Sequence, residues 1–170
     1  MKQSIVIGVL LSVGGIACSG SNPASTGAQV SDLQLDCSPR VTEVAHFDGT
    51  CQYVGADVPL MTCPQSASKS GSLTMTVLRP QDVTAGQRIA VGGTNPIVKV
   101  DAAATASDLL VESTTVGGVG FVVFDHFEPG RIMSGAFVDT SVEMQPDPPF
   151  PCRLSSGHFD ASSGPGVTAP

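Results

Sequence analysis

The sequence predicts an all-β protein, an antiparallel β-sandwich or small β-barrel with at most one short helical turn. Three observations carry this. The 170 residues include 21 Val and 13 Thr against 10 Leu, 4 Glu and 3 Lys, so strand formers outnumber strong helix formers. Short apolar runs are punctuated by Gly, Pro and Asp at spacings of roughly 8–12 residues, the rhythm of consecutive antiparallel strands. Finally, Glu128-Pro129-Gly130-Arg131 suits a type II turn, because Pro presets φ at the first central position and Gly accepts φ > 0 at the second.

Taken in order, the candidate strands are 41–47, 50–54, 72–78, 88–91, 97–100, 109–113, 119–127, 131–138 and 152–161. If the turn at Pro129-Gly130 closes a two-residue hairpin, Phe127 faces Ile132, Val123 faces Ala136 and Phe121 faces Val138 on one side. Val122 then meets Phe137 and Phe124 meets Gly135 on the other. Large apolar residues on both faces place this hairpin centrally in the sheet. A ring over a strand glycine covers its bare backbone, so Phe124 is expected over Gly135. The segment Asp101-Ala-Ala-Ala-Thr-Ala-Ser-Asp108 offers the one helical turn, with Asp101 as N-cap, against an irregular crossover as the alternative. Residues 143–151 hold four prolines and are expected to be an extended loop.

Arg131-Ile132-Met133-Ser134-Gly135-Ala136-Phe137 is echoed 22 residues later by Arg153-Leu154-Ser155-Ser156-Gly157-His158-Phe159. Two readings fit: strands that each need a small Ser-Gly pair where the sheet bends or another layer approaches, or a paired ligand groove.

The start of the chain carries a different signal. Lys2 precedes residues 5–16, an apolar run too short for a hydrocarbon core that needs roughly 20 residues, so residues 1–17 read as a signal peptide. The run ends Gly15-Ile16-Ala17-Cys18, which resembles the lipobox of bacterial lipoproteins, with Gly15 where the family usually has Leu. The resemblance implies diacylglycerol on Cys18, which becomes the mature N-terminus, and Ser19 rather than Asp at the next position implies the outer membrane. Each buried methylene contributes about 0.8 kcal/mol, so several acyl chains make an effectively permanent anchor. Residues 18–31, rich in Ser, Gly and Ala, form a flexible tether, and the Ser/Gly/Pro-rich residues 162–170 a disordered tail, leaving 32–161 as one β domain. The ending Ser156-Gly157-His158-Phe159-Asp160-Ala161 also resembles small β-rich lipoproteins of unassigned function.

Cysteine parity agrees with lipidation: of five cysteines, assigning Cys18 to lipid leaves Cys37, Cys51, Cys63 and Cys152. Their spacings lack the close pairs of a zinc site, so two disulfides are expected. Three connectivities exist; the favoured one joins Cys37 to Cys51 as a local hairpin and Cys63 to Cys152 as a long tie.

Little else bears chemistry. His46, His126 and His158 form no metal motif, and no metal or cofactor is expected. His158 and Asp160 share a strand face and are the least poor catalytic pair, without an identifiable nucleophile. Ser66-Ala67-Ser68-Lys69 matches S-x-x-K, but it lies in a loop-like composition and lacks the companion motifs of penicillin-recognising enzymes. The P-x-x-P matches beginning at Pro146 and Pro148 read as a rigid surface loop.

A formal charge of −7 with only 14% charged residues and no basic stripe argues against nucleic acid and anionic polymers. The expected function is therefore non-catalytic: a monomeric lipoprotein anchored in the outer membrane that either contributes structurally to the cell envelope or binds an unknown partner, a protein or a neutral glycan. One alternative is a barrel carrying an apolar ligand, with Phe121, Phe124, Phe137, His158 and Asp160 as the ligand-facing candidates. Another is an inhibitor of a basic lytic enzyme, although the S-G-x-x-Y motif of periplasmic lysozyme inhibitors has no counterpart.

Overall fold

Alternating burial, the mark of a strand with one face on a core, runs through most of a computed structural model that describes residues 32–162 apart from positions 49, 67, 68, 107, 108, 146, 147 and 156. The signal segment, Cys18, the tether to residue 31 and tail residues 163–170 lie outside the described residues.

Among the described residues eleven strands form one sheet: β1 (Leu33–Asp36), β2 (Ala45–Phe47), β3 (Gln52–Val54), β4 (Leu60–Pro64), β5 (Ser72–Val77), β6 (Arg88–Val91), β7 (Val98–Ala106), β8 (Leu109–Glu128), β9 (Ile132–Met144), β10 (Phe150–Ser155) and β11 (His158–Ser162). Their order is β2-β1-β10-β9-β8-β6-β7-β5-β4-β3, with β11 beside β9 and the first part of β8 also paired to β7. Every pairing is antiparallel except one bridge, Val91 to Val98, between β6 and β7. The fold is all-β as expected. Among the described residues the only helical element is a 3-10 turn at Pro80–Asp82.

The sheet folds over its own inner face. Strands far apart in the order come together, β3 against β11 and β2 against β7. At the seam, the Ser66 N–H beyond β4 donates to the His46 carbonyl of β2 at 2.9 Å. The space enclosed is filled by Leu33, Leu35, Phe47, Met61, Leu73, Met75, Val98, Val100, Phe124, Met133 and Phe159, all without exposed surface.

The helical turn expected at 101–108 is a strand over its described part. Asp101, Ala102 and Ala103 pair with Thr74, Leu73 and Ser72 of β5, while Ala102 and Ala104 point into the core. Alanine's helix preference is worth a few tenths of a kcal/mol to about 1 kcal/mol per residue, less than the sheet partners and core contacts of this position. Strands β1 and β4 fall where the sequence suggested none. The runs 109–113 and 119–127 are parts of one strand, β8, and the expected 152–161 strand is divided into β10 and β11.

The long β8–β9 hairpin keeps the expected register in its middle: Phe121 faces Val138, Val122 faces Phe137, Val123 faces Ala136 and Phe124 faces Gly135. Nearer the turn the expectation fails by one residue, for Phe127 faces Met133 rather than Ile132. Asp125 is an extra residue that bulges from β8, and Arg131 is the matching extra residue after the turn, where its N–H donates to the Glu128 carbonyl at 2.9 Å. The bulge switches the alternation, so His126 faces water and Phe127 joins the core, its ring centroid 5.1 Å from that of Phe124.

Both glycines of the repeated segment sit under close neighbours. A Cβ on Gly135 would lie 2.1 Å from the Val123 carbonyl oxygen, and one on Gly157 would lie 2.1 Å from Leu33 Cδ2. Phe124 and Phe159 flank Gly135 from the two adjacent strands, with ring centroids 5.9 Å apart. The two glycines are thus accounted for by the close approach of neighbouring strands, β8 at Gly135 and the start of β1 at Gly157.

All four expected cysteines form disulfides, with a different pairing: Cys37 to Cys152 and Cys51 to Cys63. Register explains the correction. Asp36 faces Arg153 in the β1–β10 pair, so Cys37 and Cys152 are the next cross-strand position; Gln52 faces Thr62 in the β3–β4 pair, so Cys51 and Cys63 are likewise opposite. The favoured Cys37–Cys51 hairpin does not form because β2 pairs with β1, and β3 turns away to β4.

Candidate ligand-binding face

Cross-strand register assembles a depression of the surface with charged and hydroxyl side chains along it. Asp36 of β1 faces Arg153 of β10, which faces Ser141 of β9, and the row lies on the outer side because the flanking Leu35, Cys37, Cys152, Leu154 and Val142 all point inward. The row continues to Val119 of β8, opposite Ser141 and about half exposed.

The next feature depends on a bulge. Between the Val119–Ser141 and Phe121–Val138 pairs, β9 carries one extra residue. Asp139 takes φ +49°, a left-handed conformation that Asp tolerates better than most residues. Opposite it, Gly120 has φ +133°, and a Cβ there would lie 2.5 Å from both the Asp139 carbonyl oxygen and Thr140 Cα, so only glycine fits. The buried Thr140 hydroxyl lies 2.8 Å from the Phe121 carbonyl oxygen, supplying a donor where the ladder is broken. The bulge leaves Val138 and Asp139 both outward, and it aims the Asp139 carboxylate along the surface to Arg88, 3.5 Å away. The Arg88 guanidinium lies 4.3 Å from the centroid of the partly exposed Phe121 ring.

Together Asp36, Ser38, Asp139, Thr140, Ser141, Pro151 and Arg153 line an open cleft of about 420 Å³. The Ser38 N–H donates to Asp36 Oδ1 at 2.9 Å, and this bond, with the Ser38 hydroxyl and Arg153 adding to it, holds the Asp36 carboxyl below its usual range. A second cleft, about 270 Å³, includes Thr74, Asp101, Glu112 and Ser113, where Lys99 already pairs with Asp101 at 3.0 Å. Neither cleft is lined by Phe121, Phe124 or Phe137.

The sequence-selected candidates are scattered. Phe124 and Phe137 lie in the core, both against Phe159, so they fill space rather than face a ligand. Phe121 is at the surface under Arg88. His158 and Asp160 lie opposite Ala136 and Ser134 on the outer face, but the carboxylate nearest to the imidazole is given by the bulged Asp125, whose Oδ2 is 3.6 Å from His158 Nδ1. That is ion-pairing range between exposed groups, longer than a hydrogen bond. The S-x-x-K residues point apart: the Ser66 hydroxyl is 3.0 Å from Asp48 Oδ1, and Lys69 pairs with Glu43 at 2.9 Å. No group of three or more His, Cys, Asp or Glu able to hold a metal occurs among the described residues.

Asp36, Arg88, Asp139 and Ser141 were not singled out by sequence. The Cys152-Arg153-Leu154 alternation marks Arg153 as outward once a strand is granted, but its companions come from other strands. No protein-family model matches the sequence, and no curated protein and no solved structure matches it.

Proposed function

We propose that the chain is a non-catalytic lipoprotein held in the outer membrane through Cys18, and that its β domain is a monomeric binding module of the cell envelope for a protein or glycan. The observation that carries the binding reading is the contrast between a filled interior and an open polar cleft: the large aromatic side chains pack on one another, while charged and hydroxyl groups converge on the outer face. The anchor reading draws support from the two disulfides, which consume four cysteines and leave Cys18 as the fifth, and which suit an oxidising compartment. The apolar-carrier alternative gains nothing from Phe124 and Phe137, whose places are in the packed core.

Two measurements test the reading. Metabolic labelling with an acyl-chain analogue should mark the wild-type chain and leave Cys18→Ala unmarked; an unmarked wild type overturns the anchor. Affinity capture from solubilised envelope extract should retain a discrete component on the full chain. It should retain none on Gly135→Ala, whose added methyl group collides with the β8 backbone. Equal retention by both baits, or none by either, overturns the binding module.

A further inference from the structure

We propose that the outer-face cleft framed by Asp36, Asp139, Ser141 and Arg153 binds an uncharged oligosaccharide. The inference rests on the binding-module reading and names its ligand class.

The chemistry of the lining makes the selection. Carboxylates only accept hydrogen bonds, a guanidinium only donates, in a fixed fork, and a hydroxyl does both. The row Asp36, Arg153, Ser141 therefore presents acceptor, donor fork and two-way group in sequence, at positions set by strand register rather than by flexible loops. A sugar ring carries neighbouring hydroxyls at fixed spacing, each able to donate to a carboxylate while accepting from a guanidinium. Planar two-point recognition of this kind is what Asp and Arg side chains offer.

Apolar surface lies beside the polar row, as the C–H face of a sugar requires. Val119 is 49% exposed directly across from Ser141, and Phe121, two residues on, is 37% exposed on the same side of β8. Pro151 contributes to the cleft wall. The volume of about 420 Å³ falls within the ~300–1,000 Å³ of small-molecule sites, and the cleft is open enough to admit part of a longer chain.

Charge separates this ligand from its rivals. The two carboxylates of the lining, Asp36 and Asp139, have the guanidinium groups of Arg153 and Arg88 near them, and the exposed Glu143 opposite Pro151 adds a negative charge at the rim, within a chain of −7. A polyanion meets an unfavourable overall field. A basic peptide meets carboxylates already partnered, Asp139 by Arg88 and Asp36 by the Ser38 N–H. The left-handed φ of Asp139, opposite the glycine-only position 120, turns one additional side chain outward at the edge of the cleft.

Calorimetric titration of the detergent-solubilised full chain tests the proposal, with chitotriose, maltotriose and cellotriose as neutral probes and trilysine as the basic one. At least one neutral trisaccharide should bind, insensitive to added salt. Arg153→Ala and Asp139→Asn should weaken binding about tenfold or more, Arg153→Lys should restore only part of it because the fork is lost, and Asp101→Asn in the second cleft should change nothing. Circular dichroism of each variant should match wild type. Binding by none of the sugars, sugar binding indifferent to both cleft variants, or salt-sensitive binding of trilysine alone overturns the glycan site. If envelope capture persists in any of those cases, the binding-module reading stands without this cleft; if capture is also absent, that reading falls with it.

Discussion

The two ends of the β8–β9 hairpin are held together by different means. At the turn end, β9 lies between β8 and β11, and Phe124, Phe127, Phe137 and Phe159 cluster on the inner face around Gly135. At the far end, β9 lies between β8 and β10, the four-ring cluster gives way to Val142, Met144, Phe150 and the Cys37–Cys152 bridge, and the outer face opens into the cleft. The residue that divides them is the Asp139 bulge. A bulge at a chosen point lets one pair of strands serve a packed core in one half and a shaped surface in the other, since it bends the strand and re-aims one side chain without moving the inward set.

Breaking the staple of the far end should have the largest effect. In the chain-entropy account, Cys37→Ser with Cys152→Ser removes a link spanning 115 residues and costs about 4.7 kcal/mol, against about 3 kcal/mol for Cys51→Ser with Cys63→Ser, whose separation is 12. Chemical denaturation of the two double variants would measure that order, and equal losses would count against a loop-length origin. The long bridge lies directly under the Asp36–Arg153 row, so its loss should also increase amide exchange around the cleft more than around Gly135.

The turn end should respond to its aromatics. Phe159→Ala removes a ring that touches Phe124 and Phe137, and a loss of about 3–5 kcal/mol in denaturation is expected. A loss near that of an exposed residue would show that the cluster is not the glue described.

A smaller effect tests how the turn is latched. The Tyr53 hydroxyl of β3 accepts from the Gly130 N–H at 2.9 Å and lies 3.3 Å from the Glu128 carbonyl, clamping the hairpin tip to another part of the sheet. Tyr53→Phe should cost about 1–2 kcal/mol, since it leaves a turn N–H without its partner. Burial raises the phenol above its ordinary range, against the opposing pull of the Gly130 N–H. A pKa higher in the folded than in the unfolded chain means that this contribution is complete below the unfolded value and is lost as pH rises through the folded one. The window is therefore alkaline, above about pH 10. As the chain has one Tyr and no Trp, tyrosinate absorbance reads this group alone. Its midpoint should fall on adding denaturant, and stability above that pH should decline less steeply in Tyr53→Phe.

The smallest change is expected at the boundary between the two ends. Arg88→Ala removes a surface ion pair and a cation–π contact, both exposed, so about 0.5–1 kcal/mol or less is expected in stability.

The faces of the hairpin were legible from alternation, but its middle register, with Phe124 opposite Gly135, agrees with the expected two-residue turn only because the extra residues Asp125 and Arg131 offset each other. The bulge at Asp125 was not legible: inserting one residue leaves the composition unchanged, and what selects it is Phe127 reaching Phe124 in the core. The site was less legible still. Asp36, Arg88, Asp139 and Arg153 are charged residues of four separate strands, and apart from the alternation that turns Arg153 outward nothing in their own neighbourhoods brings them together.

The sequence by itself determined the all-β class, the central hairpin and the use of four cysteines as disulfides, since these depend on strand propensity, turn chemistry and parity, all local or additive properties. Only the tertiary structure decided which cysteines meet, that 101–106 is a strand despite its alanines, and which outward side chains share a cleft. Each of those depends on which strand lies beside which, and that choice is made by the burial of the whole inner face at once.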